Sequence, residues 1–227
     1  SDDRFPFHRD DLKYHHIKPK VKENSAAVIF FLMDVSGSMS MDRKFLARSF
    51  FFLLYQFLNH KYEKIEVVFV SHSTEAKRVS EDDFFKVGTY GGTIISSCLN
   101  LELDIISKEY HPNTWNIYSF YCGDGENWSS DNEKCINLFK KIKDISQLTA
   151  YCEINEHYGN FAEDNEDQTS SAYPWPSFSA WKNEELENLW SKLAPICDTE
   201  FKKVMIGQTD HIWKAFNKLF GGNAQHE

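Results

Sequence analysis

An α/β fold, with a mainly parallel central sheet, one short antiparallel edge strand and helices on both faces, is predicted by three observations. Apolar runs of strand length alternate with longer helical stretches along the chain. The first of those runs, Val28 to Met33, is bulky, β-branched or aromatic throughout, as expected of a strand covered on both faces. Strand and helix alternating at these lengths require crossover connections, and crossovers lay helices over both faces of a parallel sheet.

The elements follow in order. Residues 1–24 are charged and polar, with Pro6 and Pro19 and little periodicity, and read as a leader that packs partially at best, the end of a longer amino-terminal region. The first strand is about Ala27 to Met33. Asp42 to His60 is the first helix, apolar on most of its circumference from Phe50 onward, so burial between the sheet and neighbouring helices is expected. Ile65 to Ser71 is the second strand, and Glu75 to Val79 pairs beside it as the antiparallel edge after a tight turn. Glu81 to Phe85 is a brief helical turn. Thr93 to Lys108 is the next long helix, with Ile94, Leu99, Leu101 and Ile105 at near-helical spacing. Asn116 to Cys122 is a strand, Asn132 to Ile145 a helix and Leu148 to Ile154 another strand.

Residues of about 156–182 break the rhythm. Glu163, Asp164, Glu166 and Asp167 precede Ser170-Ser171 and Pro174-Trp175-Pro176, which reads as an acidic loop insertion, solvated or, in a sharper reading, a docking loop anchored by Tyr173 and Trp175. Glu184 to Leu193 then resumes as helix, Glu200 to Gly207 is the last strand, and Asp210 to Phe220 closes the domain with Gly221-Gly222 as its stop. The domain thus spans 25–222, followed by a tail at 223–227.

Length and composition suit one such unit: 227 residues, 41% apolar and 15% aromatic, with nineteen phenylalanines read mainly as core. The net charge of −9, from 25 basic against 34 acidic residues, argues against a nucleic-acid backbone or a membrane surface as partner. Cys98, Cys122, Cys135, Cys152 and Cys197 show no Cys-x-x-Cys spacing and read as reduced, mostly buried thiols of a cytosolic protein. No Cys and His pair stands at zinc-finger spacing, and His15-His16 reads as solvent-facing. No signal peptide is recognisable, and the longest apolar stretches fall short of the ~20 residues of a spanning helix. The chain begins at Ser1, which suggests a fragment or a processed form.

Chemistry concentrates in three loops. Asp34-Val35-Ser36-Gly37-Ser38 places one carboxylate and two hydroxyls at alternate positions directly after the first strand, with Gly37 allowing a tight turn. Gly91-Gly92-Thr93 opens a helix, and the run Tyr118 to Cys122 ends in an acid between glycines, Gly123-Asp124-Gly125. Hydroxyl and carboxylate oxygens are hard ligands suited to Mg²⁺ rather than zinc or copper. Asp34 and Asp124 both end predicted strands, which is where ligands of open α/β sheets bind.

These three loops resemble the metal-ion-dependent adhesion site (MIDAS) of von Willebrand factor A domains, with Asp34, Ser36 and Ser38 from the first loop, Thr93 from the second and Asp124 from the third. Phe30 to Met39, Ala47 to Phe52, Phe69 to Ala76, Asp124-Gly125-Glu126-Asn127-Trp128 and Ser130-Asp131-Asn132 resemble the bacterial YeaH/YhbH branch. Members of that branch are usually labelled stress-response or sporulation proteins and are longer on the amino-terminal side. The likeness covers most of residues 12–155. It implies a three-layer Rossmann-like vWA fold and a site for Mg²⁺, with Mn²⁺ as the alternative ion. In that family the Ser36 and Ser38 hydroxyls would bind the cation directly, Thr93 directly or through water, and the two acids mainly through water. An Asp or Glu carboxylate from a protein partner would complete the coordination, and the family context suggests a PrkA-type serine kinase.

The resulting expectation is a cytoplasmic, metal-dependent interaction module rather than an enzyme. The alternatives are a scaffold whose loops hold a purely structural site and, further off, a metal-dependent phosphoester hydrolase. An aspartyl-phosphate enzyme typically uses a second Asp two residues on, where this chain has Ser36. Ser38 lacks the Gly-x-Ser-x-Gly elbow of a serine hydrolase, and Gly91-Gly92-Thr93 lacks the lysine of a Walker loop.

Overall fold

The computed structural model describes residues 25–86, 92–155 and 186–221. Its sheet is built on β1 (Ala26–Asp34), which is flanked by two parallel neighbours, β2 (Lys64–His72) and β4 (Asn116–Gly123). Beyond β2 lies the antiparallel edge β3 (Ala76–Val79). Beyond β4 lie β6 (Leu148–Ile154) and β8 (Phe201–Ile206), both parallel, so the order is β3-β2-β1-β4-β6-β8. The predicted α/β architecture, with one short antiparallel edge strand, is therefore observed.

Covering both faces follows from the side-chain alternation of β1. Ala27, Ile29, Phe31 and Met33 enter one apolar layer with α1 (Met41–Lys61), α2 (Glu81–Phe84) and α5 (Thr209–Phe220). Val28, Phe30 and Leu32 enter the other, with α3 (Ile95–Glu109) and α4 (Asn132–Ile145). Aromatic rings fill the first layer: Phe31 stacks on Phe51 with centroids 4.3 Å apart and meets Phe69 at 5.8 Å and Phe120 at 6.0 Å. Such pairs favour offset and tilted contacts and are worth about 0.5–1.5 kcal/mol beyond burial.

Two expectations are corrected. Helix α1 is not buried all round: Phe50, Phe51, Leu54 and Leu58 face the core, whereas Phe52 is 64% exposed and Phe45 59%. One side of a helix in an outer layer meets the sheet, and α5 covers only a flank of α1, where Phe57 packs on Phe216 and Phe220. The predicted helix from Glu184 to Leu193 is also not formed over its described residues, 186–193. In its place β7 (Leu186–Asn188) pairs antiparallel with β5 (Glu126–Trp128), and a 3-10 segment, Ser191–Ile196, follows. The Asn188 side chain accepts from the Trp190 amide at 2.7 Å, a local turn that competes with helix. The leader, the 156–182 insertion with Tyr173 and Trp175, His15-His16, Gly91 and the 223–227 tail lie outside the described residues.

The chain leaves β1 for β2 on one side, and β4 returns on the other, so strand order reverses between β1 and β4. Crevices at such reversals, outside the carboxyl ends of the strands, are where open α/β sheets hold ligands.

Candidate metal site

Asp34 is the last residue of β1, and Asp124 follows the last residue of β4, so both carboxylates stand at the reversal. Asp34 is fully buried. Its Oδ1 accepts from the Ser36 amide at 2.7 Å, and its Oδ2 accepts from Thr93 Oγ1 at 3.4 Å. Ser36 Oγ lies 3.1 Å from Ser38 Oγ; Ser36 is buried and Ser38 exposed, so the hydroxyl pair runs from the interior to the surface. Asp124, 5% exposed, accepts from the Glu126 amide through Oδ1 at 3.2 Å and from Arg43 Nη1 through Oδ2 at 3.3 Å. Hydrogen bonds thus join Asp34 to Ser36 and Thr93 directly, while Asp124 stands close enough for its charge to act on Asp34.

The electrostatics are strained by burial. Desolvation and the neighbouring Asp124 charge push the Asp34 carboxyl up to about 7, against hydrogen bonds from Ser36 and Thr93 that favour the carboxylate. Burial and Asp124 also raise Glu126. Glu153 on β6, opposite Gly123 in register, is pushed up to about 7, chiefly by burial, with Asp124 adding to it. Among the described residues no three His, Cys, Asp or Glu side chains cluster to hold an ion. A cation here would rest on two carboxylates and three hydroxyls, an all-oxygen set that fits Mg²⁺ or Mn²⁺. The Asp124 charge that raises the proton affinity of Asp34 is what a bound cation relieves, so the residues present fit the ion.

The third loop also builds the second. Helix α3 starts after Ile94, whose side chain cannot cap it. Its first donors are met from elsewhere: Ile94 N by the Ser73 carbonyl at 2.8 Å, Ile95 N by Asn127 Oδ1 at 3.0 Å and Ser96 N by Asp131 Oδ2 at 2.9 Å. Asn127 and Asp131 therefore fix the segment carrying Thr93, and the Asp131 charge suits a helix N-terminus. Close packing adds to this, since a Cβ on Gly92 would lie 2.7 Å from Trp128 Nε1.

Sequence reasoning missed Arg43 and Glu153. Arg43 stands one helical turn after the Ser36-Gly37-Ser38 loop, in the first turn of α1, and that spacing was the available signal. Glu153 had none, because only the pairing of β6 with β4 brings it to the site. Gly125 turns the chain there with φ +90°, and an added Cβ would come within 2.6 Å of both Glu153 Oε2 and Asn188 Nδ2. Gly125→Ala is expected to cost about 1–3 kcal/mol of stability from left-handed backbone and crowding, measured by urea denaturation; a loss below about 0.5 kcal/mol would mean that the turn relaxes freely.

Comparison with known proteins places this geometry in a family. Residues 1–223 match the family described as "Protein of unknown function (DUF444)". A UPF0229 protein of Ruminiclostridium cellulolyticum is 43% identical over 217 residues, covering 96% of this chain and 49% of the relative. One from Bacillus velezensis is 37% identical over 216 residues, covering 95% of this chain and 48% of the relative. The chain thus spans about half the length of the curated relatives it matches. Among solved structures, BatB from Bacteroides thetaiotaomicron aligns at TM-score 0.53 and 12% identity, covering 86% of this chain and 97% of that one. The PilB minor pilin of Streptococcus sanguinis, as a D319A mutant, aligns at TM-score 0.53 and 12% identity, covering 88% and 61%. Both likenesses concern the fold alone. Matched along nearly its whole length, the chain belongs to the DUF444 family, the YeaH/YhbH-like group that its loop motifs resemble.

Proposed function

We propose that this chain is a metal-dependent protein-interaction module of the von Willebrand factor A type. Asp34, Ser36, Ser38, Thr93 and Asp124 hold Mg²⁺, or Mn²⁺ in its place, in a MIDAS-type site. The supporting observation is the meeting of these residues at the β1–β4 reversal, where Asp34 carries hydrogen bonds from the Ser36 amide and the Thr93 hydroxyl. With the hydroxyls as direct ligands and the two acids acting mainly through water, few charged groups touch the cation, and its incompletely neutralised charge attracts a carboxylate from outside. Ser38, exposed above buried Ser36, marks the side from which a partner's Asp or Glu approaches. The role is recognition rather than catalysis. The biological setting, a bacterial stress-response or sporulation protein of the cytoplasm with a PrkA-type serine kinase as partner, rests on family resemblance. Among the described residues no helix is long and apolar enough to cross a membrane.

One observation favours a second reading. Arg43 already pairs with Asp124, as it would in a scaffold whose site is purely structural. Calorimetric titration of Mg²⁺ and Mn²⁺ into stripped protein separates the two. Binding is expected in the parent chain, with a loss of at least about a hundredfold in Asp34→Ala and in Ser36→Ala/Ser38→Ala, since ligand removal leaves the ion short of charge and coordination. No binding by the parent would put the scaffold first. Turnover of a phosphoester that Asp34→Ala abolishes would replace both with the hydrolase.

A further inference from the structure

The first turn of α1 brings two cationic side chains to the two acids of the site. Lys44 is buried, and burial lowers its ammonium pKa, an effect the charge of Asp34 opposes only in part. Arg43 reaches across the opening of the pocket. Its Nη1 donates to the Ser38 carbonyl at 3.0 Å and to Asp124 Oδ2 at 3.3 Å. The arginine side chain is 14% exposed and the aspartate 3%, so this pair is shielded from solvent screening. The turn itself is fixed, because the Ser40 hydroxyl accepts from the Arg43 amide at 3.2 Å and caps the helix.

One guanidinium thus links the first loop, through Ser38, to the third, through Asp124. Those are two of the three loops that a cation in the site would join. A guanidinium is permanently charged, planar and weakly hydrated, which suits it to a carboxylate in a shielded place. A divalent ion drawn to Asp34 and Asp124 would bring its charge to a carboxylate that Arg43 already neutralises. Like charges at such separations repel strongly where water is excluded. The rim of the site next to Arg43 in sequence is solvent-facing, with Gly37, Ser38 and Met41 exposed, Met41 at 71%.

We propose that Arg43 is a built-in counter-ion that occupies Asp124 until a divalent cation enters, then swings to the rim, where its freed guanidinium meets the partner's carboxylate beside the metal. Metal entry and recognition of an acidic ligand are thereby coupled through one side chain. This inference rests on the metal-binding reading above. It goes further in assigning Arg43 a competitive role before the ion binds and a ligand-selecting role afterwards.

The test is calorimetric titration of Mn²⁺ into stripped parent chain and Arg43→Gln, with melting temperatures of both in EDTA and in Mn²⁺. Arg43→Gln is expected to bind Mn²⁺ at least about tenfold more tightly, because the competing charge is gone. In EDTA it should melt below the parent, and Mn²⁺ should reverse that order. Equal or weaker Mn²⁺ binding by Arg43→Gln, with the parent binding normally, overturns the counter-ion role and leaves the metal site standing. Absence of binding in both proteins removes the metal site and this inference together. Should Arg43→Gln fail to fold in EDTA, Arg43→Met is titrated in its place; it keeps an unbranched stem without the charge, and the same direction of change is required of it.

Discussion

Asn127→Ala is expected to destabilise the chain by about 2–4 kcal/mol, although the hydrogen bonds of Asn127 go to Ile95, Asp131, Asn132 and Cys135 rather than to the proposed metal-binding residues. Its side chain is fully buried and satisfied at both ends. Oδ1 accepts from Ile95 N at 3.0 Å, and Nδ2 donates to Asn132 Oδ1 at 2.9 Å, with Asp131 Oδ2 at 3.4 Å. Alanine leaves the helix-terminal Ile95 amide without its acceptor and takes one of several contacts from Asn132 and from Asp131, whose Oδ2 still accepts from Ser96 N. Groups left buried without partners each cost about 1–3 kcal/mol, more than the bonds contribute while made. Urea denaturation of parent and variant measures the difference. A loss under about 1 kcal/mol would show that water replaces the amide.

The same substitution should reach the metal site. Ile95 N belongs to the turn that opens α3, and Thr93 lies two residues before it. Freed from Asn127, that turn is held by Asp131 on Ser96 N and by the Ser73 carbonyl on Ile94 N. Thr93 then samples positions away from Asp34, so Mn²⁺ affinity should fall with stability. Asn127→Ala that binds Mn²⁺ as tightly as the parent would mean that Thr93 is placed by its own loop.

What was legible in the sequence was what local pattern encodes. The unbroken apolar run before Asp34 announced a strand covered on both faces, and the alternating oxygens after it announced a loop whose polar groups stand together. Both readings depend on neighbours within about ten residues. Glu153 became part of the site only through the pairing of β6 with β4, which no local pattern records. Leu186 to Leu193 shows the opposite failure. Leu186, Leu189, Trp190 and Leu193 have helical spacing, yet the backbone of β5 offered a pairing edge, and the Leu189 amide bonds the Gly125 carbonyl at 3.1 Å instead. Tertiary context overrode propensity where the competing helix would have been short. Asn127 and Asp131 lie between these cases: they could be read as a motif, but their function as caps for α3 required the fold.

Glu102→Gln is expected to leave stability nearly unchanged at pH 5 and to raise it by about 3–5 kcal/mol at pH 9. Glu102 lies on α3, fully buried against the sheet, and neither of its carboxylate oxygens has a hydrogen-bond partner among the described residues. The Ser119 hydroxyl is near enough to favour the carboxylate but not placed to bond it, and its register neighbour Thr149 is also an unpartnered hydroxyl. Burial therefore dominates and pushes the carboxyl from 4.5 up to about 8. The native chain thus holds a proton on Glu102 across a window where the unfolded chain has released it. Stability falls as pH rises from the unfolded value towards 8 and levels off above, by about 1.4 kcal/mol per pH unit within the window. Gln removes that slope because it cannot ionise. Asp34 and Glu153, raised in the same direction, give the parent chain a slope of the same sign, so the Glu102 share is the difference between parent and variant, measured in EDTA. An equal gap at pH 5 and pH 9 would mean that Glu102 ionises in the native state as it does in water.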